Sequence, residues 1–142
     1  TPLPLEGRVF ISVNDKDKPE VAAIARDLHE AGFTIVATEG TYAVLEKANI
    51  PAEKVKKVYE GRPNILDEIT NKKIQMIINT PAGRSSVHDD SYIRKAAIKG
   101  KISYMTTMAA AQAAASGIKE VKRKGKLDVK SLQQLHAEIT YE

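Results

Sequence analysis

Five short β-rich runs, each followed by an amphipathic or Ala-rich stretch, predict a three-layer α/β domain with a five-stranded parallel sheet flanked by helices. Three observations carry this. The strand-then-helix alternation repeats five times along the chain. The run Ile74–Ile78 is apolar nearly throughout, as a parallel strand covered on both faces must be. Glycines stand where helices should stop, Gly32 before Phe33 and Gly100 before Ile102. The length of 142 residues fits one such domain. Its core is expected at about 7–118, with a basic connector and C-terminal segment at 119–142.

The first strand is expected over Arg8–Val13. Val21, Ile24, Ala25 and Leu28 then fall at helical spacing, so Lys18–Ala31 is a helix with Pro19 in its first turn. Phe33–Ala37 is the second strand, and Thr41–Ala48 the second helix, ending near Asn49 with Pro51 beyond. Val55–Val58 is a weak third strand and Ile65–Asn71 a short helix. After the fourth strand, Ser91–Lys99 is helical, and Ile102–Tyr104 is the fifth strand. Thr106–Ser116 is an Ala-rich helix with Thr106 or Thr107 as N-cap and Gly117 as its stop. Leu127–Val129 reads as a short strand. Leu132, Leu135, His136 and Ile139 then predict a helix docking on a larger body. The pattern is Rossmann-like.

Composition removes several function classes. Without cysteine there are no disulfides, thiolate metal sites or thiol nucleophiles, which suits a reducing, cytoplasmic setting. No run approaches the roughly 18 apolar residues of a membrane span, so no membrane partner is expected. The start, Thr1-Pro-Leu-Pro-Leu5, carries no signal peptide and no initiating Met, and reads as a fragment or a processed end. The net charge is +4, much of it in Lys119, Lys122, Arg123, Lys124 and Lys126. This run is expected to be a solvated loop. Five Tyr and two Phe do not interleave with it as a nucleic-acid platform requires.

Ligands of an open parallel sheet bind beyond the carboxyl ends of its strands. There the sequence places Asn14–Lys18, Thr38-Glu-Gly-Thr41, Glu60-Gly-Arg-Pro63 and Asn79–Arg84. In Thr38–Thr41 a glycine and two hydroxyls open a helix, whose free amides favour phosphate. Simple N-capping by Thr38 is the competing explanation. Lys18 and Lys57 could add charge, or be plain surface lysines. Asn79 could bond a base or ribose, or cap its own turn. Neither a dinucleotide glycine fingerprint nor a P-loop occurs. His29, His88 and His136 are too scattered for a metal site, Ser85–Ser86 has no nucleophile elbow, and Asp89–Asp90 reads as a helix start. No catalytic or metal-binding set is expected.

Gly7-Arg-Val-Phe-Ile-Ser-Val13, Ala37-Thr-Glu-Gly-Thr41, Lys57-Val-Tyr-Glu-Gly-Arg-Pro-Asn64, Ile77-Ile-Asn-Thr80, Ile93-Arg94 and Leu135-His-Ala137 occur in order. Together they resemble the methylglyoxal-synthase-like allosteric domain that ends bacterial-type carbamoyl-phosphate synthase large subunits. The resemblance covers essentially the whole chain, and Val58–Ile65 is its most specific segment. It implies a regulatory domain without catalysis of its own. The parent enzyme makes carbamoyl phosphate for arginine and pyrimidine synthesis from glutamine or ammonia, bicarbonate and ATP, with Mg or Mn. The partners implied are the rest of the large subunit and, through it, a glutaminase small subunit. UMP as inhibitor and IMP as activator would share one site, and ornithine would act at the junction with the next domain. By motif position, Thr38, Gly40 and Thr41 would hold the phosphate with Lys18 and Lys57. Ser12, Asn79 and Thr80 would contact the ligand nearby, and Ile65 and Ile93 would line the base. Tyr104 and Thr106 would contribute to the ornithine site.

Two departures touch effector preference. Pro81 stands where relatives often carry a second Thr, and the loop at 83–90 reads about one residue longer. A methylglyoxal synthase is the enzyme alternative on this fold. Its catalytic Asp would sit in the loop that here reads Glu60-Gly-Arg-Pro-Asn64, with no Gly-Asp pair. The related domain of a purine-pathway cyclohydrolase and a basic RNA-binding module fit less well.

Overall fold

The computed structural model describes the backbone of residues 3–81 and 87–141, and side chains over 3–81 and 90–126. Its strands are β1 (Arg8–Ser12), β2 (Thr34–Ala37), β3 (Glu53–Lys54), β4 (Met76–Asn79) and β5 (Ser103–Met105). Its helices are α1 (Lys18–Glu30), α2 (Glu39–Lys47), α3 (Ile65–Thr70), α4 (Val87–Lys99) and α5 (Met108–Tyr141). All four strand pairings are parallel, in the order β3-β2-β1-β4-β5. Strand order therefore reverses between β1 and β4, where such folds open a crevice.

Alternation along the strands divides the core in two. Val9, Ile11, Ile35, Ala37, Met76 and Ile78 face α1, α2 and α5, whose Leu28, Leu45 and Ile118 are fully buried. Phe10, Val36 and Ile77 face α3 and α4, through Ile65, Ile69, Ile93 and Ala97. The apolar positions predicted for the first helix, Val21, Ile24, Ala25 and Leu28, are the ones α1 buries. Gly32 closes it at φ +104°, where an L side chain would be strained.

The expectations fail in four places. β3 lies at Glu53–Lys54, ahead of the expected Val55–Val58. It is an edge strand carrying charge, which guards against strand addition. Val55 and Val58 instead pack on the α3/α4 side of the core, and Val58 opens a single 3-10 turn. α2 begins at Glu39 rather than Thr41. α4 begins at Val87 rather than Ser91, so Asp89 and Asp90 lie in its first turn, where acidic residues suit the helix dipole.

The fourth failure is the largest. Neither Gly117 nor Gly125 stops α5, and the strand expected at Leu127–Val129 is helical. Gly117 lies on the exposed face, while Ala111, Ala114, Ala115 and Ile118 are buried on the other. A glycine costs a helix about 1 kcal/mol, and packing of this kind outweighs it. The basic run is accordingly part of a helix, not a loop. Lys119 lies 3.5 Å from Asp27, Lys122 donates to the Ala31 carbonyl at the end of α1, and Arg123 pairs with Glu120 at 2.6 Å. Thr107 caps α5 by accepting from the Ala110 amide at 3.1 Å. The side chains of Leu132, Leu135, His136 and Ile139 lie outside the described residues. Among the described residues, no helix is long and apolar enough to cross a membrane.

Candidate functional site

At the carboxyl edge of the sheet, on the α3/α4 side, the apolar row of Phe10, Val36 and Ile77 is followed by a polar row. Ser12 pairs with Asn79 in register, and Thr38 lies one residue past the end of β2. Thr38 and Asn79 are 3% and 4% exposed, so their polar atoms must find partners. Thr38 Oγ1 donates to Ser12 Oγ at 3.0 Å. Asn79 Nδ2 donates to Asp90 Oδ1 at 3.0 Å and to Tyr104 Oη at 3.1 Å. Burial raises the Tyr104 phenol above its ordinary pKa, and the nearby Asp90 charge adds to this against the opposing Asn79 contact and Arg94. Tyr104 therefore stays protonated at neutral pH.

The β1–β2 half of the rim is built differently. Thr38 occupies the N-cap of α2 in an extended conformation, but its hydroxyl does not cap the helix. Capping therefore does not account for it. Thr41 Oγ1, also buried, accepts from the Val13 amide at 3.1 Å and ties α2 to the end of β1. Glu39, Gly40 and Thr41 occupy the first turn, whose amides have no acceptor within the helix and carry the positive end of its dipole. The Lys18 ammonium lies 3.2 Å from where a Cβ on Gly40 would stand. Gly40 thus lets a cation approach the open end of α2.

Lys18 also holds the exposed Asp15 carboxylate by hydrogen bond and charge, lowering the Asp15 pKa below its ordinary value, and Lys57 lowers it further. Lys57 Nζ lies 5.9 Å over the Tyr59 ring. Thr80 Oγ1 accepts from the Asn14 amide at 2.9 Å, and Asn14 Nδ2 donates to the Pro81 carbonyl at 2.8 Å. These bonds lock the loop after β1 to the end of β4.

The structure thus brings Ser12, Lys18, Thr38, Gly40, Thr41 and Lys57 to one half of the rim, with Asn79 and Thr80 across β1 from them. Ile65 and Ile93, expected to line a base, are 0% and 5% exposed and belong to the core beneath the polar row. Tyr104 bonds to Asn79, while Thr106 is exposed beyond β5. Residues 82–86 and the side chains of 87–89, most of the loop expected to tune preference, lie outside the described residues.

Two participants were not singled out from sequence, Asp15 and the Asn14 bridge. The Asp15–Lys18 spacing of three was a visible signal, whereas the Asn14 bridge spans 66 positions. The Glu60–Asn64 segment is a supported turn. Asn64 caps α3 by accepting from the Leu66 amide at 2.9 Å, and Asp67 accepts from Asn64 N at 2.8 Å and from Arg62 at 2.5 Å. A cavity of about 540 Å3 opens at the opposite edge of the sheet. The candidate site is therefore assigned from its converging donors rather than from concavity.

The MGS-like domain family matches residues 20–106. Over 98% of its length the chain is 46% identical to a carbamoyl phosphate synthase large chain from Methanothrix thermoacetophila, of which it covers 13%. It is 53% identical to the large chain of Acidobacterium capsulatum, over 95% of this chain and 12% of that one. It is 44% identical to the large chain's C-terminal section from Aquifex aeolicus, over 94% of this chain and 26% of that one. The chain therefore spans only 12 to 26% of these relatives. Among solved structures, methylglyoxal synthase from Elizabethkingia anophelis superposes with a TM-score of 0.63 at 15% identity over 80% of each chain. ForH superposes with a TM-score of 0.59 at 18% identity, over 84% of this chain and 82% of that one. Both share the fold.

Proposed function

The chain belongs to the MGS-like domain family and aligns along nearly its whole length with part of carbamoyl phosphate synthase large chains; on that premise we propose that it is the allosteric domain of such a large chain, binding a nucleotide monophosphate at the carboxyl rim. UMP as inhibitor and IMP as activator are the candidate effectors. The domain itself carries no catalysis. Its partners are the remainder of the large chain and, through it, the glutaminase subunit.

The observation that carries this reading is the meeting of Lys18 with the open first turn of α2 at Gly40. Main-chain donors, a helix dipole and an ammonium converge where a phosphate would sit. The buried Thr41 hydroxyl accepts from Val13 and fixes this turn against the end of β1, so the donors left for the ligand are main chain and Lys18. Ser12 on β1 sits beside Thr38, and Asn79 lies beyond it on β4, where a ribose or base would follow. Tyr104 and Thr106 are the candidates for the ornithine site, and the Asn79–Tyr104 bond would connect the two effector positions. An effector alters catalysis in the parent only by binding its two states unequally.

Calorimetric titration with UMP and IMP at low and then moderate salt tests the reading. The expected result is saturable one-site binding with mutual displacement, and no methylglyoxal formed from dihydroxyacetone phosphate. Absence of binding for both nucleotides, or turnover in that assay, contradicts it.

A further inference from the structure

At the edge of the sheet opposite the rim, the cavity of about 540 Å3 opens between the C-terminal ends of α3 and α4. This volume lies within the range of small-molecule sites. Its apolar lining includes Ile74, Ile102 and Ala96, and Lys72, Lys99 and Lys101 stand around it, all three exposed. No carboxylate lines it. Neighbouring Lys73 pairs with Glu68 at 3.7 Å, whereas among the described residues Lys72, Lys99 and Lys101 form no ion pair.

Helix C-termini attract cations, and this accounts for part of the charge. Each terminus carries roughly half a negative charge, so three ammoniums leave an excess of about two positive charges. Lys72 and Lys101 have φ of 58° and 55°. Glycine is the unstrained residue in that region, yet at both positions the chain places a lysine on the lining of the same cavity.

We infer that this cavity is a binding site for a small amphipathic anion, with its compact apolar body on the isoleucine lining and its charged head among the three lysines. The complementarity is specific. A neutral apolar molecule would gain nothing from the three lysines, and a fully polar anion would not use the lining.

The test uses decanoate, below the concentration at which it forms micelles, and decanol as its neutral counterpart. Binding to the chain is followed by calorimetry. The variant combines Lys72→Gly, Lys99→Gln and Lys101→Gly. Its two glycines remove charge while suiting the positive φ, so the fold is retained and circular dichroism checks this. The expected result is saturable one-to-one decanoate binding, weakened by about tenfold or more in the variant. Decanol should bind more weakly by a similar factor, and saturating UMP should not displace decanoate. No saturable binding, equal affinity for the folded variant, equal affinity for decanol, or displacement by UMP would each overturn the inference. Because the rim is untouched by these substitutions, UMP titration of the same variant reports separately on the nucleotide site.

Discussion

The two halves of the carboxyl rim use their polar groups in opposite ways. Around β1 and β2, the hydroxyls of Thr38 and Thr41 are turned inward to Ser12 and to the Val13 amide. What faces outward there is main chain and the Lys18 ammonium at Gly40. Around β4 and β5, side chains hold one another, with Asn79 between Asp90 and Tyr104. Anchoring by backbone amides depends little on which residues are present. Recognition through a side-chain network changes with each member. Under the proposed function, phosphate binding on the first half can be kept while ligand preference varies on the second. Pro81, the expected departure from relatives, lies at the second half, where its carbonyl accepts from Asn14.

Four substitutions sharpen or break this contrast. The largest effect is expected for Lys18→Glu, which sets a carboxylate against the incoming phosphate. UMP and IMP affinity should both fall by about 100-fold or more in calorimetry, with the fold intact by circular dichroism. Equal binding would show that the first half is not the anchor. Asn79→Ala should lower unfolding stability by about 1–3 kcal/mol in urea denaturation, since Tyr104 and Asp90 lose a partner. Competition by inorganic phosphate should be unchanged in that variant. Pro81→Thr should alter the ratio of UMP to IMP affinity by about two- to tenfold, without changing inorganic phosphate binding.

The smallest effect is expected for Asp15→Asn. Asp15 is a carboxylate held on Lys18, the proposed phosphate partner, so its removal should strengthen nucleotide binding by up to about fivefold. Lys18 holds the Asp15 pKa below the ordinary 3.8. Folding stability from this contact is thus present above the usual Asp range and is lost as pH falls through the lowered value. Between about pH 6 and 8 Asp15 stays ionised, so any change in the gain across that interval should follow the second ionisation of the ligand phosphate, near about pH 6, and not Asp15.

Apolar runs and helical spacing were enough to locate α1 to α4, the start of α5 and the four strands with buried sides, because buried faces write hydrophobicity directly into the chain. β3 was misplaced because an edge strand is charged, and its pairing with Val36 and Ala37 leaves no local signal. The extent of α5 was misread because Gly117 weighs against a helix locally, while the burial of Ala114, Ala115 and Ile118 is a tertiary effect. At the site, the Thr38–Thr41 turn and Lys18 were legible from their position after strands. The Asn79–Tyr104 bond spans 25 positions and needed the register of β4 on β5. Ile65 and Ile93 matched their motif positions, and only packing reveals that they face the core.

Amide-resolved titration tests the central claim most directly. With the chain uniformly labelled with 15N, UMP should move the Glu39, Gly40 and Thr41 amides most, saturably, and inorganic phosphate should move the same three. Saturable UMP binding that leaves those amides in place, with its shifts centred elsewhere, would contradict the assignment of the first half of the rim as the phosphate anchor.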